Sequence, residues 1–509
     1  MKIIGVDVGT SGLKISVYDT KVNILESDIE NYTVQSPFPG IVELDPMITW
    51  RAFKRKLSHL LKSENVEDQE YIMSFSVLGD ALIVADEKFY PILPSILSSD
   101  TRSTAYSKII RKQLSGRKLY STTGRFPHPM SILNRLLWLQ DHNVVIFKEA
   151  RWYLDYPSWI LSKLGFTPLT DYSSASGTLY FDIYKKDYDK EILSWANIPR
   201  EKLPSLISSG KYIGNLSEKV KQELGFSKKC NVSVVSGGMD QICNALGTGT
   251  VRPNQMVCSI GTVEATTTVL PDEINQEELF LKNYFCSVSA IPDQFVTFSF
   301  LWAGGGSLRW YKDNLSDLGN HVDSNHMAYD DIVGNEIKPN KEIFLPYLSG
   351  TGPPFWDSMA RGAFLGLDLS SKKQNMVDSL LEGVCFDLRH NLEQLKKAGI
   401  EVKRISVVGG GSKSSKWLQI KSDIIKKPIY RLERQEGGSL GAALLAGYGV
   451  GLFKDLTEIA QKVNQVGQVF YPSDQFSKLY DQKYKIFTEA YSKLRNIHKK
   501  INSIYQFDV

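Results

Sequence analysis

The feature that most constrains the fold is a strand–turn–strand unit that occurs twice, about half a chain length apart. Residues 2–18 (KIIGVDVGTSGLKISVY) give an apolar run, four small turn residues, and a returning run that alternates apolar and polar. Residues 256–269 (MVCSIGTVEATTTV) repeat this order, with β-branched residues in the returning run. Small residues between two such runs predict a hairpin. The repetition indicates a duplication and predicts two domains of related build.

Helical and strand patterns alternate along the rest of the chain. Residues 375–397 and 473–497 carry apolar side chains at three-to-four spacing, which predicts amphipathic helices, the second capped at Pro472-Ser473. Short apolar runs at 232–236 and 405–408 end in glycines and predict strands. This alternation is typical of the α/β class. Gly, Pro and Asn gather at 246–254, so we place a domain boundary there and predict domains 1–248 and 249–509, the latter ending in the tail helix.

Composition narrows the function classes. The 509 residues carry 60 Lys and Arg against 56 Asp and Glu, a net charge of +4 that argues against nucleic acid as the main partner. Five widely spaced cysteines without a C-x-x-C pair favour a reducing compartment. No apolar run approaches the roughly 20 residues that span a bilayer, and the first residues look like a strand rather than a signal peptide. We therefore expect a soluble cytoplasmic protein without a membrane partner.

Three glycine-rich turns follow predicted strands and suit a phosphate-bearing ligand. They are Gly9-Thr10, Gly261-Thr262 and Gly409 to Ser412. Glycine lets a backbone approach a phosphate closely, and Thr and Ser add hydroxyl donors. One such turn is usually only a tight turn, but three in one chain favour a nucleotide site. The P-loop, the G-x-G-x-x-G pattern and the protein-kinase motifs are absent from the sequence.

Two aspartates follow predicted strands. Asp7 closes the first apolar run, and Asp240 ends VSVVSGGMD at the start of a helical stretch. Each has a structural interpretation, a turn-capping Asp for Asp7 and a helix N-cap for Asp240. Each also has a functional one, a carboxylate that holds Mg²⁺ through water for Asp7 and a general base for Asp240. Ligands of open α/β sheets gather at the carboxyl ends of strands, which supports the functional interpretation.

Taken together, these segments resemble the FGGY carbohydrate kinase family over essentially the whole chain, with xylulokinases and fuculokinases as the most similar members. The segments that carry the resemblance are MKIIGVDVGTSGLKISVYD, VSVVSGGMDQICNALGTG, CSIGT, FLPYLSGTGPPFWDSMARGAFLGL, LLEGVCFDLR and VVGGGSKSSKWLQ. The resemblance implies two actin-like, ribonuclease-H-like domains with ATP and sugar in the cleft between them. It also implies ATP and Mg²⁺ as cofactors. Many relatives are dimers, so the resemblance is compatible with a homodimer, although the sequence does not give the oligomeric state.

The resemblance implies a role for each matching residue. Asp240 matches the catalytic base and Asp7 the Mg²⁺-associated carboxylate. The residues that match nucleotide contacts are Gly9, Thr10 and Ser11 in the first turn, Gly261 and Thr262 in the second turn, Gly305 and Gly306 in the segment 304–310, and Gly410, Gly411 and Ser412 in the adenosine loop. The residues that match the sugar side are Gly79, Asp80, Asp100, Arg102 and Asp240.

Three departures concern the sugar rather than the phosphoryl chemistry. Xylulokinases carry Gln-Met-His-Gly where this chain has Ser76 to Asp80, and Trp-Asn where it has Ser98-Ser99. After the second turn this chain has Val263-Glu264, where xylulokinases have Ser-Gly and fuculokinases Trp-Glu. Asp80 and Glu264 either recognise different hydroxyls or are surface carboxylates. The sequence thus predicts a xylulokinase-like kinase whose acceptor is an open-chain ketose or polyol.

Other acceptors and other functions stay open. Fuculose, ribulose, gluconate and glycerol are alternative substrates within the family. The actin-like core also serves ATPases and sugar sensors that phosphorylate no sugar. Sugar-dependent release of ADP from ATP distinguishes a kinase from these.

Overall fold

The computed structural model describes residues 1–62, 69–316, 332–435 and 437–504 and divides into two compact units. The first unit comprises Met1–Val251, Phe285–Val296 and Glu436–Asn464, and the second comprises Arg252–Tyr284, Thr297–Gln435 and Gln465–Val509. The division by compactness differs from the predicted domains 1–248 and 249–509, because two later segments pack into the first unit. The predicted domain boundary near 246–254 is a different kind of division from these compact units, and it stays a prediction.

The helix Gly438–Gly449, here called the Gly438 helix, shows why a late segment belongs to the first unit. It packs on the first strand, where a Cβ on Gly5 would lie 2.0 Å from the carbonyl oxygen of Ser439. The hydroxyls of Tyr18 and Ser439 are 3.2 Å apart. The helix is buried along most of its length and is apolar all round, which is typical of a core helix.

The sheet of the first unit is built around the predicted hairpin. Its strand order is Tyr212–Asn215, Asn231–Val235, Glu70–Val77, Lys2–Val8, Gly12–Tyr18 and Ile24–Asn31, and Gly238–Met239 pairs with Glu70–Val77. Lys2–Val8 pairs antiparallel with Gly12–Tyr18 and parallel with Glu70–Val77. The alternation in residues 13–18 buries Leu13, Ile15 and Val17 in the core of this unit. The predicted hairpin is therefore confirmed.

The sheet of the second unit follows the same plan. Its strands lie in the order Phe295–Leu301, Glu264–Val269, Gln255–Ile260, Arg404–Val408, Ile429–Leu432 and Val466–Phe470. Gln255–Ile260 pairs antiparallel with the returning strand and parallel with Arg404–Val408. Each sheet thus opens with a hairpin whose first strand pairs with a later parallel strand. This common topology supports the duplication that the sequence predicted.

Helices and short strand pairs complete both units. The helices of the first unit are Pro46–Lys62, Thr104–Gln113, Gly116–Thr123, Ile132–His142, Val144–Glu149, Tyr156–Lys163, Tyr172–Ala175, Lys190–Trp195, Glu218–Leu224, Asp240–Gly247, Gly438–Gly449 and Leu456–Val463, with a 3₁₀ turn at Arg200–Lys202. Those of the second are Gln276–Leu281, Gly304–Leu315, Lys373–Lys397, Ser415–Ile425 and Ser477–Ile504, with a 3₁₀ turn at Gly410–Lys413. The short strand pairs are Glu43–Leu44 with Ser95–Ile96, Ile83–Ala85 with Trp152–Leu154, Leu169–Asp171 with Ser205–Ile207, Phe181–Asp182 with Asp187–Tyr188, Ser287–Val288 with Phe295–Leu301, and Ile343–Leu345 with Ala363–Leu365.

The two predicted amphipathic helices are confirmed with shifted ends. The first spans Lys373–Lys397 and the tail helix spans Ser477–Ile504. The tail helix begins later than predicted, and the backbone N–H of Ser473 donates to Asp423 at 2.8 Å instead. Among the described residues, no helix is both long and apolar enough to cross a membrane.

Candidate functional site

Most of the predicted site residues of each unit lie near the carboxyl ends of strands that pair in parallel. In the first unit, Asp7, Asp80 and Asp240 lie at or beyond the carboxyl ends of the strands Lys2–Val8, Glu70–Val77 and Asn231–Val235. In the second unit, the second turn and the adenosine loop follow the strands Gln255–Ile260 and Arg404–Val408. The carboxyl edge of such a sheet is where α/β proteins bind their ligands. Each unit therefore presents one set of candidate residues along one sheet edge.

Asp7 is held by its neighbours while its carboxylate stays half-buried. The hydroxyl of Ser76, on the parallel neighbouring strand, donates to Oδ1 at 2.6 Å. A Cβ on Gly438 would lie 2.4 to 2.6 Å from the atoms of this carboxyl group. Only glycine therefore leaves room for the Asp7 side chain in this position. The hydroxyl of Ser76 ties the Asp7 carboxylate to a neighbouring strand, and both the turn-capping and the functional interpretation of Asp7 stay predictions.

Asp240 is the first residue of the helix Asp240–Gly247, and Met239 occupies the N-cap position. The predicted N-cap role is therefore wrong by one residue. Its Oδ1 accepts a hydrogen bond from the backbone N–H of Gln241 at 2.7 Å. Burial and the nearby charge of Asp7 raise the pKa of Asp240 to about 7. A carboxylate with a pKa near the working pH can accept and release a proton, as a general base must.

The first turn is braced from one side and open on the other. The N–H of Gly9 donates to the carbonyl of Gly12 at 2.9 Å, and the hydroxyl of Tyr32 donates to the carbonyl of Gly9 at 2.6 Å. Thr10 and Ser11 are exposed. The turn thus keeps its shape while its two hydroxyl-bearing residues face solvent, as a phosphate contact requires.

Asp80 is buried and paired, so its interpretation as a surface carboxylate is wrong. Only 7% of the residue is exposed, and Oδ2 accepts from Nη1 of Arg125 at 3.1 Å. Arg135 donates to its backbone carbonyl. The backbone of Asp80 is left-handed, with φ at 55°, and a Cβ on Gly177 would collide with its carboxylate. This environment fixes one orientation of the Asp80 side chain.

Several buried polar atoms around Asp80 have no hydrogen-bond partner. They are Oδ1 of Asp80, Nε of Arg125, and Nε and Nη2 of Arg135. Unpaired buried polar atoms are costly and are normally satisfied by water or a ligand. Neither arginine was identified from the sequence. The signal was present for Arg135, which interrupts the apolar run ILNRLLWL in the helix Ile132–His142.

Asp100 and Arg102 form a second buried cluster in this unit. Nε and Nη2 of Arg102 donate to Asp100 at 2.8 to 3.0 Å, and Nη2 also donates to Glu43 at 2.6 Å. The guanidinium lies 5.1 Å from the ring centroid of Trp138. The two predicted sugar-side residues are therefore brought together, and they are paired with each other. Gly79, the remaining sugar-side residue, has its backbone against Met239, whose Cγ and Sδ lie 2.7 Å from where a Cβ would be.

In the second unit, the second turn is bound to the start of the helix Gly304–Leu315, here called the Gly304 helix. The N–H of Gly305 donates to the carbonyl of Gly261 at 3.0 Å, and that of Gly306 donates to Thr262 at 2.9 Å. Both turn residues are exposed. The structure therefore brings together two elements that the sequence predicted as separate nucleotide contacts.

The adenosine loop forms the 3₁₀ turn Gly410–Lys413 and packs under the second turn's strand. A Cβ on Gly411 would lie 2.3 Å from Cγ2 of Ile260, so this position requires glycine. The Ser412 hydroxyl is hydrogen-bonded to the carbonyl of Gly409 at 2.7 Å and to Oε1 of Gln435 at 2.6 Å. Beside it lies a cavity of about 470 Å³, lined by Ser412, Lys413, Arg431, Leu432, Glu433, Gln435, Gly467 and Gln468. No motif in the sequence indicated the lining residues that follow the loop in the chain.

Glu264 is also buried, which excludes the surface interpretation for this carboxylate. Its two oxygens accept from Nζ of Lys421 at 2.7 and 2.9 Å. Both oxygens are engaged within the second unit, and a sugar contact of Glu264 stays a prediction.

The comparisons with known proteins agree over the whole length. The model of the N-terminal domain of the FGGY family of carbohydrate kinases matches residues 2–247, and that of the C-terminal domain matches residues 256–450. A xylulose kinase of Staphylococcus epidermidis is 30% identical over 500 residues, covering 97% of both chains. A gluconokinase of Bacillus subtilis is 26% identical over 507 residues, covering 98% of this chain and 97% of that protein.

A solved structure agrees as well. The ligand-bound xylulose kinase of Lactobacillus acidophilus superposes with a TM-score of 0.87 at 25% identity, covering 98% of this chain and 99% of that one. The topology of the two sheets, the two family models and the full-length relatives lead to one conclusion: the chain belongs to the FGGY family of carbohydrate kinases.

Proposed function

We propose that this kinase transfers the γ-phosphate of ATP to a hydroxyl of an open-chain ketose or polyol, with xylulose as the first candidate. The observation that carries the proposal is the pair of carboxylates at one sheet edge, where burial and the charge of Asp7 raise the pKa of Asp240 to about 7. Relatives named xylulose kinase support the acceptor class.

In this proposal Asp240 accepts the proton of the attacking hydroxyl. Its raised pKa makes it a stronger base than an ordinary aspartate, while a useful fraction remains ionised at neutral pH. The exposed backbone and hydroxyls of Thr10 and Thr262 bind phosphate oxygens and stabilise their negative charge. Phosphoryl transfer needs positioning and charge neutralisation rather than a covalent intermediate on the protein.

Asp7 fits a role as the Mg²⁺ carboxylate. Mg²⁺ keeps much of its water shell and is often held by one or two carboxylates, so a single half-buried aspartate suits it. The hydrogen bond from Ser76 fixes one carboxyl oxygen, and Gly438 leaves the space around the group free of a side chain. When bound, the ion would neutralise charge on the β- and γ-phosphates.

Gluconate is a second candidate acceptor, favoured by the charge around Asp80. Arg125 and Arg135 bring two positive charges against the single carboxylate of Asp80, and both guanidiniums keep unpaired N–H groups. A substrate carboxylate satisfies such donors better than a neutral hydroxyl does. Relatives named gluconokinase and the gluconate kinase structure of Lactobacillus acidophilus, with a TM-score of 0.86 at 25% identity, agree with this alternative.

A substrate panel tests both candidates. ADP release from ATP with Mg²⁺ is measured with xylulose, ribulose, fuculose, rhamnulose, erythritol, glycerol and gluconate, and without sugar. A kinase shows ADP release that depends on one of these acceptors. Preference for gluconate over xylulose supports the arginine argument, and the reverse preference contradicts it. Equal ADP release with and without every sugar would contradict the kinase proposal itself.

A further inference from the structure

The second unit contains a fully buried ion pair beside the proposed phosphate contacts. Glu264 is 3% exposed and Lys421 is 0% exposed. Nζ of Lys421 donates to both carboxylate oxygens, at 2.7 and 2.9 Å. The carboxylate holds the pKa of Lys421 well above its usual range, against the effect of burial. Lys421 therefore stays charged near neutral pH, and its two hydrogen bonds hold the Glu264 carboxylate in place.

The pair joins two elements that carry predicted nucleotide contacts. Glu264 begins the strand Glu264–Val269 directly after the second turn. Lys421 lies in the helix Ser415–Ile425, which starts just after the adenosine loop. Ser414 caps this helix, since its side chain accepts from the N–H of Trp417. The loop, the helix and Lys421 thus form one continuous segment of the chain.

A third element is tied to the same point. A Cβ on Gly304 would lie 2.5 Å from Cβ of Glu264, so the Gly304 helix starts in direct contact with this residue. The next two N–H groups of that helix donate to the carbonyls of Gly261 and Thr262. Glu264 is therefore located where the second turn, the Gly304 helix and the helix behind the adenosine loop meet.

Stability alone does not account for a charged pair at this place. Desolvation of two charges offsets much of their attraction, and an apolar pair of similar volume is often as stable or more stable. An ion pair with two short hydrogen bonds differs from apolar packing in its directionality, because it fixes distance and angle together. We therefore expect the ion pair to act mainly by fixing the relative positions of the groups that it joins, rather than by stabilising the fold.

We propose that Glu264 and Lys421 are positioning residues, whose ion pair sets the spacing between the second turn and the adenosine loop so that both ends of ATP bind at once. The inference rests on the proposed function, since it takes these two loops as the nucleotide contacts. Neither side chain has to touch ATP in this role.

Comparison of ATP with AMP separates positioning from general stability. AMP lacks the terminal phosphates, so it uses the adenosine loop without the second turn. Calorimetric titration with Mg²⁺ measures both affinities in the full chain and in the variants Glu264→Gln and Lys421→Met. We expect ATP to bind about 10- to 100-fold more weakly, since a displaced second turn loses part of its hydrogen bonds to the terminal phosphates. We expect AMP affinity to stay at the wild-type value.

The second unit offers a matched control pair. Glu382 and Lys483 are also buried and paired, and they join the helix Lys373–Lys397 to the tail helix, away from the proposed phosphate contacts in the chain. Glu382→Gln and Lys483→Met should lower the melting temperature without changing the ratio of ATP to AMP affinity. The double variant Glu264→Leu/Lys421→Met removes both charges at once. It should recover stability but still bind ATP weakly.

Three results would overturn the positioning role. The first is unchanged ATP affinity in the single variants, and the second is an equal loss of ATP and AMP affinity that follows the melting temperature. The third is a double variant with wild-type ATP affinity. Failure of the wild-type protein to bind ATP at all would instead contradict the proposed function, so the two failures are distinguishable.

Discussion

The two units share a sheet plan but differ in how they accommodate buried charge. In the second unit, the buried pairs Glu264–Lys421, Asp378–Lys416 and Glu382–Lys483 each satisfy one acid with one lysine. In the first unit, Asp80, Arg125 and Arg135 leave buried charged atoms without partners. The unpartnered buried atoms described in the second unit belong to neutral side chains, namely Thr297, Trp417 and Tyr480.

This difference indicates that the two units have different roles. The three ion pairs fix the relative positions of the elements that they join, which suits a frame that presents loops to a nucleotide. The contrast is one of degree, because Asp387 of the second unit is buried without a cationic partner among the described ion pairs and Asp100–Arg102 of the first unit is a complete pair. The hydrogen bonding around Asp80 is incomplete and the pKa of Asp240 is raised, and perturbed titratable groups of this kind are typical of functional sites. The first unit is therefore the part in which substitutions should change acceptor chemistry.

The largest expected effect comes from Asp240→Asn. Loss of the general base should lower kcat by about 10²- to 10⁴-fold with the preferred sugar. ATP affinity should stay near the wild-type value, because the second unit and the first turn are unchanged. Coupled measurement of ADP release gives kcat, and calorimetric titration gives ATP affinity. Near-native turnover in the Asn variant would exclude Asp240 as the base and remove the functional contrast between the units.

Breaking a complete pair of the second unit should cost stability rather than specificity. Lys483→Met leaves Glu382 buried without its partner, which typically costs about 3–5 kcal/mol. Burial already raises the pKa of Glu382 to about 7, so this carboxyl takes up a proton readily. Lys483 lowers this pKa in the wild type, so its loss raises the pKa of Glu382 further. The loss of stability should thus be smaller at pH 6, where the carboxyl is readily protonated, and larger at pH 8, where the variant has to bury a charge or bind a proton from dilute solution.

Urea unfolding of wild type and Lys483→Met at pH 6 and pH 8 measures this difference. The exposed pair Lys493–Glu489 on the same tail helix supplies the control, since Lys493→Met should change the free energy of unfolding by less than about 1 kcal/mol. A loss that is independent of pH would show that the Glu382 carboxyl does not respond to its buried position.

Sequence patterns were sufficient for the parts of the fold that depend on periodicity. The hairpins at 2–18 and 256–269 and the helix Lys373–Lys397 are where their apolar spacing placed them. The compact units were not predictable in this way, because Gly438–Gly449 is apolar all round and shows no face that identifies its neighbour. Its position depends on the close approach at Gly5, which is a tertiary contact.

The residues of the candidate site also fall into two groups, those indicated by local sequence features and those that depend on tertiary contacts. Glycines and aspartates after strands were recognisable, since strand ends and turn residues are local features. The ion pairs of Asp80 and Glu264 join residues that are far apart in sequence, 45 and 157 positions respectively, so no local pattern indicates them. Their carboxylates therefore remained ambiguous until the fold placed Arg125 and Lys421 beside them.

A smaller effect should follow from Gly438→Ala, which tests whether the space around Asp7 matters. A Cβ here would lie 2.4 Å from Oδ2 of Asp7, so the carboxylate has to move and its hydrogen bond with Ser76 is strained. We expect turnover to fall about 10-fold or more and to need a higher Mg²⁺ concentration, in line with a displacement below 1 Å. Alanine favours helix by about 1 kcal/mol over glycine, so the fold should be retained. An unchanged Mg²⁺ dependence would argue against Asp7 as the metal carboxylate.

The smallest effect is the pH dependence that separates Asp240 from an ordinary aspartate. Since its pKa is raised to about 7, kcat/KM should be about half of its plateau value at pH 7 and rise to that plateau by pH 8 to 9.

The effect of Asp240 on the stability of the fold has the opposite pH dependence, because it falls as pH rises. A carboxyl whose pKa is higher in the folded than in the unfolded state stabilises the fold at low pH, and this contribution is lost as pH rises through about 7. Asp240→Asn should therefore melt at a higher temperature than wild type at pH 8 and lose that advantage at pH 5. Glu264→Gln, which breaks a complete ion pair, is the control and should melt at a lower temperature than wild type at pH 8. A lower melting temperature for Asp240→Asn than for wild type at pH 8 would show that the Asp240 carboxylate does not destabilise the fold. This result would contradict the raised pKa of Asp240 and the contrast between the two units.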